Sequence, residues 1–132
     1  MTQRTAFADL NSITEKVIGA AIQVHKQLGP GLLENVYAEC LAIELADRGL
    51  QIRREFPVSI QYGNRTIENA YRLDFLVENV LVIECKTVEH LLPVHSAQIL
   101  TYLKLLNKNL GLLINFNVEL LHKGIKRIAN GF

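Results

Sequence analysis

Asp74, Glu84 and Lys86 are the residues whose types and spacing suggest chemistry. They lie in residues 72–86, a stretch that reads by parity. Leu73, Phe75, Val77, Leu81, Ile83 and Cys85 form one apolar set. Arg72, Asp74, Glu78, Glu84 and Lys86 fall on the other, with Leu76 and Val82 between them. Such alternation over two short runs predicts two strands with one buried face. Glu78-Asn79 between them is a turn signal, so the strands form an antiparallel hairpin. A loop centred on Asn79 sets Asp74 opposite Glu84, with Cβ atoms about 4.5–5.5 Å apart. Lys86 shares that face one pleat further on. Two carboxylates so close repel, and a divalent cation is the usual reason to keep them together. Two readings compete with this one. A solvated hairpin face carries charges without chemistry, and a two-residue loop would slip the register and separate the acids.

Length and composition bound the rest. The 132 residues predict one domain spanning residues 1–132. At 49% hydrophobic and 20% charged, the chain has the balance of a compact globular protein. No apolar run reaches the roughly 18–20 residues of a membrane span, and residues 1–5 do not read as a signal peptide. The expectation is a cytoplasmic protein with no membrane association. Cys40 and Cys85 are the two cysteines, expected as buried free thiols. A net charge of +1 gives no global drive toward nucleic acid, so such binding would need a local patch and metal.

The elements that must position the acids follow in order. Ser12-Ile-Thr-Glu15 reads as a capping box opening a helix, with Ile13, Val17, Ala20, Ala21, Val24 and Leu28 at helical spacing and a stop at Gly29-Pro30. His25 near its end reads as a partly exposed histidine, with reach to a site as the alternative. A second helix runs to Arg48, its buried stripe Leu33, Tyr37, Cys40, Leu41 and Leu45, and Gly49 breaks it. Glu34 falls in its first turn, where an acid suits the helix dipole and could also face the hairpin. Phe56, Val58, Ile60 and Tyr62 alternate along a strand whose Pro57 argues for an edge or a bulge. Gly63-Asn64 is a two-residue hairpin signal, and three or four antiparallel strands in a row result. Ser96 is expected to cap a helix over residues 97–106, on which Gln98 and Tyr102 stack one turn apart. Residues 110–116 are an unbroken apolar run, as in a strand covered on both faces, so the helix before it makes a crossover. The tail offers Lys123, Lys126 and Arg127 as phosphate contacts or as ordinary solvated charge.

Together these pieces resemble the PD-(D/E)XK nuclease superfamily. Asp74 followed by Glu84-Cys85-Lys86 is similar to its acid and its acid–x–lysine on adjacent strands. Gln98 and Tyr102 resemble the Gln-x-x-x-Tyr helix motif of the RecB-type branch. Gly31-Leu-Leu-Glu34 resembles the group named GxxExxR proteins, over residues 13–130. Tyr37 stands where that group's name has arginine, and Leu73 where the superfamily's has proline. The resemblance implies an α/β (α+β) restriction-endonuclease-like fold, an α-β-β-β-α-β core with a mixed sheet flanked by helices. It implies Mg²⁺- or Mn²⁺-dependent hydrolysis of phosphodiester bonds in nucleic acid, DNA ahead of RNA, in processing or repair. Asp74, Glu84 and the Cys85 carbonyl would hold the metal, with Glu34 reaching it through water. Lys86 would orient the nucleophile or stabilise the transition state, and Gln98 and Tyr102 would position Lys86 or the phosphate. The alternative is a nuclease-fold module that binds nucleic acid or protein without cutting. On either reading the near-neutral chain leaves substrate recognition open to a protein partner or a homo-oligomer.

Overall fold

The computed structural model describes residues 3–131. Its elements run α1 (Gln3–Leu28), α2 (Glu34–Asp47), β1 (Ile52–Tyr62), β2 (Arg65–Val77), β3 (Leu81–Lys86), α3 (Pro93–Leu106), β4 (Leu110–Asn115), a 3-10 turn (Leu121–Gly124) and β5 (Ile125–Ala129). The five strands form one mixed sheet in the order β1-β2-β3-β4-β5. Only β3 and β4 are parallel, joined by α3, and every other neighbouring pair is antiparallel. The expected α-β-β-β-α-β core is present, with mixed sheet and flanking helices.

Helices cover both faces of the sheet. On one side α1 and α2 pack Val17, Ala20, Tyr37, Leu41 and Leu45 against Phe75, Val77, Leu81, Ile83, Leu112 and Ile114. On the other, Ile99, Tyr102 and Leu103 of α3 meet Val58, Leu73, Leu76, Val82, Leu113 and Ile128. The expectation of a hairpin with one solvated face is therefore corrected. Leu76 and Val82, the apolar residues among the charges, are fully buried under α3.

Leu73 packs under α3 although it shares parity with Phe75, which faces α1 and α2. On β1, Ile52 packs on the α1–α2 side, whereas Phe56 and Val58 pack on the α3 side. The β1–β2 ribbon thus turns over between the pairs Arg54↔Phe75 and Phe56↔Leu73. Glu55, at a φ of +50°, and Asp74 lie at that crossover. Beyond it the register slips between Val58 and Ile60, and β1 is an edge strand, as Pro57 implies. Of Phe56, Val58, Ile60 and Tyr62 only Val58 is fully buried, because the ribbon's tip leaves the sheet. The strand returning from Gly63-Asn64 is a single element reaching Val77.

Helix starts differ most from expectation. No breaker precedes Ser12, so α1 already spans it, and Ser12 and Glu15 are exposed mid-helix residues. Thr14, buried between them, donates its hydroxyl to the Leu10 carbonyl at 2.7 Å. Likewise Ser96 lies inside α3, which starts at Pro93, where proline's missing N–H costs nothing. His95 caps that turn by accepting the Leu92 N–H on Nδ1 at 2.9 Å. Leu33 precedes α2 and is 73% exposed, so it is no part of the buried stripe, and Cys40 is half-buried. Among the described residues no helix is long and apolar enough to cross a membrane.

Candidate active site

The turn between β2 and β3 decides the site's geometry. Glu78 and Asn79 both take left-handed backbone, at φ +51° and +59°, and the Val80 N–H closes on the Val77 carbonyl at 3.0 Å. The loop is thereby centred on Asn79, and the pairs are Val77↔Leu81, Leu76↔Val82 and Phe75↔Ile83. Asp74 and Glu84 come next in that register. Glu78 also accepts the Gln51 N–H at 2.5 Å, fastening the turn to the start of β1.

The ladder stops at Phe75↔Ile83. Past it the Asp74 N–H donates to Glu84 Oε2 at 3.3 Å, and the Cys85 N–H donates to Asp74 Oδ2 at 2.7 Å. Two main-chain donors released from the sheet are thus taken up by the two carboxylates. This satisfies them and holds the acids across the opening. Glu84 is only 7% exposed. Burial, then hydrogen bonding and charge repulsion from Asp74, push its carboxyl up to about 9, against Lys86 and the backbone bond, which pull it down.

The other candidates arrange themselves around this pair. Glu34, the first residue of α2, is raised by partial shielding and by Asp74, while Lys86 opposes the shift. The Cys85 thiol is pushed up by burial and by the charges of Asp74, Glu84 and Glu34, so it is no nucleophile. Tyr102 is raised by burial and then by Glu84, Tyr71 and Asp74, and its ring meets Tyr71 at 5.2 Å. Asp74, Glu84, Lys86, Glu34 and Tyr102 therefore share one electrostatic neighbourhood. Gln98, one turn before Tyr102, is exposed. His25 is buried, with Nε2 2.6 Å from the Val118 carbonyl, which accounts for it structurally.

Three supporting residues were not anticipated in these roles. Tyr37 is fully buried and stacks on Phe116 with ring centroids 4.6 Å apart. Its hydroxyl donates to the Gly29 carbonyl at 2.5 Å and accepts the Leu32 N–H at 3.1 Å, which pins the loop leading into Glu34. Asn115 is buried at the end of β4, opposite Lys86. Its amide bonds both the N–H and the carbonyl of Val88, at 3.1 and 2.9 Å, so the chain leaving Lys86 is clamped. Arg54 of β1 reaches Glu39 of α2 at 2.6 Å. A polar residue ending an apolar run was the available signal for Asn115. Arg54 has none outside the sheet register.

The acid pair fits a divalent cation by its donor chemistry. Two hard oxygen groups share one opening, and burial and the neighbouring Asp74 favour the protonated form of Glu84 despite Lys86. Asp74 and Glu84 are the residues that would hold such an ion. Among the described residues, no three His, Cys, Asp or Glu side chains gather closely enough to form a complete cage.

Residues 11–128 match the family model of the PD-(D/E)XK nuclease superfamily. The chain belongs to that superfamily. No curated protein matches the sequence. The solved structure of SSO0001 is similar at 18% identity and a TM-score of 0.48, over 91% of this chain and 66% of that one. The chain thus spans just under two thirds of that protein's length. Membership in the PD-(D/E)XK superfamily points to nuclease chemistry, and the matched segment includes Glu34, Asp74, Glu84, Lys86, Gln98 and Tyr102.

Proposed function

We propose that the chain is a Mg²⁺- or Mn²⁺-dependent nuclease cutting phosphodiester bonds of DNA, ahead of RNA. The observation that carries this reading is the meeting of Asp74 and Glu84 where the β2–β3 ladder stops, with Lys86 at the end of the same strand. A bound divalent cation supplies a lowered pKa to a water and offsets charge on the phosphate. Asp74, Glu84 and the Cys85 carbonyl would hold it, and Glu34 would reach it through water. To hold such an ion Glu84 would have to be ionised. Lys86 holds the attacking water or donates to the oxygen on which charge develops. Tyr102 sits beside Glu84 and Asp74, where its hydroxyl orients the phosphate, and Gln98 serves the same end from the exposed turn before it.

The second reading is a nuclease-fold module that binds nucleic acid without cutting it. Tyr37 favours it: it stands where the name GxxExxR has arginine, and its hydroxyl is taken up by the Gly29 carbonyl and the Leu32 N–H. One experiment separates the two: purified protein with Mn²⁺ or Mg²⁺ on labelled single- and double-stranded DNA and RNA. The nuclease reading expects cleavage that EDTA abolishes and that Lys86→Ala lowers by about 10²–10³-fold, the cost of losing one transition-state donor. Undiminished cleavage in Asp74→Ala, or none in the wild type, overturns it.

A further inference from the structure

Asp74, Glu84 and Glu34 bring three acids to this centre, so a nucleic-acid phosphate bound there needs cations close to them. Lys86 lies within the cluster. Arg54 is a second cation at its edge. Its ladder partner is Phe75, one residue from Asp74, and its guanidinium carbon lies 5.5 Å from the Phe75 ring centroid. The aromatic face limits where the side chain can go, so the cation is pre-placed on the α2 side of the opening.

That cation is already in use. Glu39, 65% exposed on α2, holds Arg54 at 2.6 Å. The partnership is unequal. A solvated ion pair alters an equilibrium by about fivefold at most, whereas a phosphate offers two free oxygens to the fork of a guanidinium. A phosphate arriving beside Asp74 can therefore take Arg54 from Glu39, at the cost of breaking that weak pair.

We propose that Arg54 is a substrate-phosphate ligand of the site and that Glu39 is a resident competitor, occupying the guanidinium until nucleic acid displaces it. The inference rests on the nucleic-acid reading above and adds a residue and a restraint to it. Its unusual consequence is that removing an acid from the rim improves binding through one particular arginine. A Glu39 that merely straps α2 to β1 would give the opposite result.

The test is fluorescence anisotropy with labelled single- and double-stranded DNA in Ca²⁺, across a range of salt, alongside kcat and KM in Mg²⁺. The control is Glu44→Gln, which breaks a similar pair with Arg48 at the far end of α2 and changes net charge equally. Glu39→Gln is expected to bind about two- to fivefold more tightly than Glu44→Gln. Arg54→Ala should bind about tenfold more weakly and lower the salt slope by about one. Arg54→Lys should fall between, and the double variant should match Arg54→Ala. Binding by Glu39→Gln that equals or falls below that of Glu44→Gln overturns the proposal, as does a wild-type salt slope in Arg54→Ala. Those results leave the nuclease reading standing if the wild type still cuts. A folded wild type that neither binds nor cuts overturns both.

Discussion

β3 treats its two neighbours differently. Toward β4 it is paired through all six of its residues, from Leu81↔Leu110 to Lys86↔Asn115. Toward β2 it keeps three pairs and stops. The closed flank along β4 is buried throughout and apolar as far as Asn115, and at Gly111 a Cβ would come within 2.6 Å of Ile99. On the open flank backbone pairing is given up, and the freed N–H groups are handed to Asp74 and Glu84. No donor is stranded by the exchange. Its cost falls on Glu84, a carboxyl forced to keep its proton, and one strand thereby supplies both a core and a reactive edge.

The largest expected effect that sharpens this contrast is on stability. Leu112→Ala, on the closed flank, should cost about 2–5 kcal/mol by urea unfolding, as deleting a fully buried leucine does. Asp74→Asn should leave apo stability unchanged or slightly raised, because it removes a like charge and keeps an oxygen for the Cys85 N–H. It should also lose the Mn²⁺-induced rise in Tm that the wild type shows. Equal destabilisation by the two substitutions would make the open flank structural after all.

A smaller effect is a dependence on pH. The Glu84 carboxyl titrates at about 9 in the folded chain against 4.5 as the ordinary value, so the folded state binds the extra proton between them. The contribution to apo stability is full below about pH 4.5 and is lost as pH rises toward 9. Cation uptake has the opposite sign, since it must expel that proton. Mg²⁺ affinity should rise up to about tenfold per pH unit from 6 to 8. Calorimetry in buffers of different ionisation enthalpy should find about one proton released per ion. Zero release, or apo stability that is flat with pH and unaltered in Glu84→Gln, would show that Glu84 is ionised without a partner.

The smallest effect lies far from either flank. Ser12→Ala should change stability by less than about 0.5 kcal/mol, as at an ordinary surface site. A loss of about 1 kcal/mol by thermal unfolding would restore Ser12 as a helix cap.

The acid pair was legible because a turn centred on Asn79 makes Asp74 and Glu84 equidistant from it, and left-handed Glu78 and Asn79 form that turn. The strand–helix–strand crossover through α3 was legible from the unbroken apolar run after it. What escaped depends on partners distant in sequence. Parity assigned Leu73 to the face of Phe75, but the ribbon turns over at Glu55 and Asp74, which no local pattern records. Ser12 and Ser96 have good capping chemistry, yet nothing before them breaks a helix, and Pro93 was the better start signal. Arg54 gains meaning only from lying opposite Phe75 and against α2.

The three rungs between β2 and β3 also have a mechanical meaning. The β1–β2 ribbon extends past the three rungs that join it to β3, and Val58 and Leu73 rest it on α3. Load applied at the exposed tip near Tyr62 would pass along two long strands to the first unpaired position, where Asp74 faces Glu84. An ion gripping both carboxylates would act as a clasp there, so the force needed to peel the ribbon away should depend on metal, while the force needed to part β3 from β4 should not.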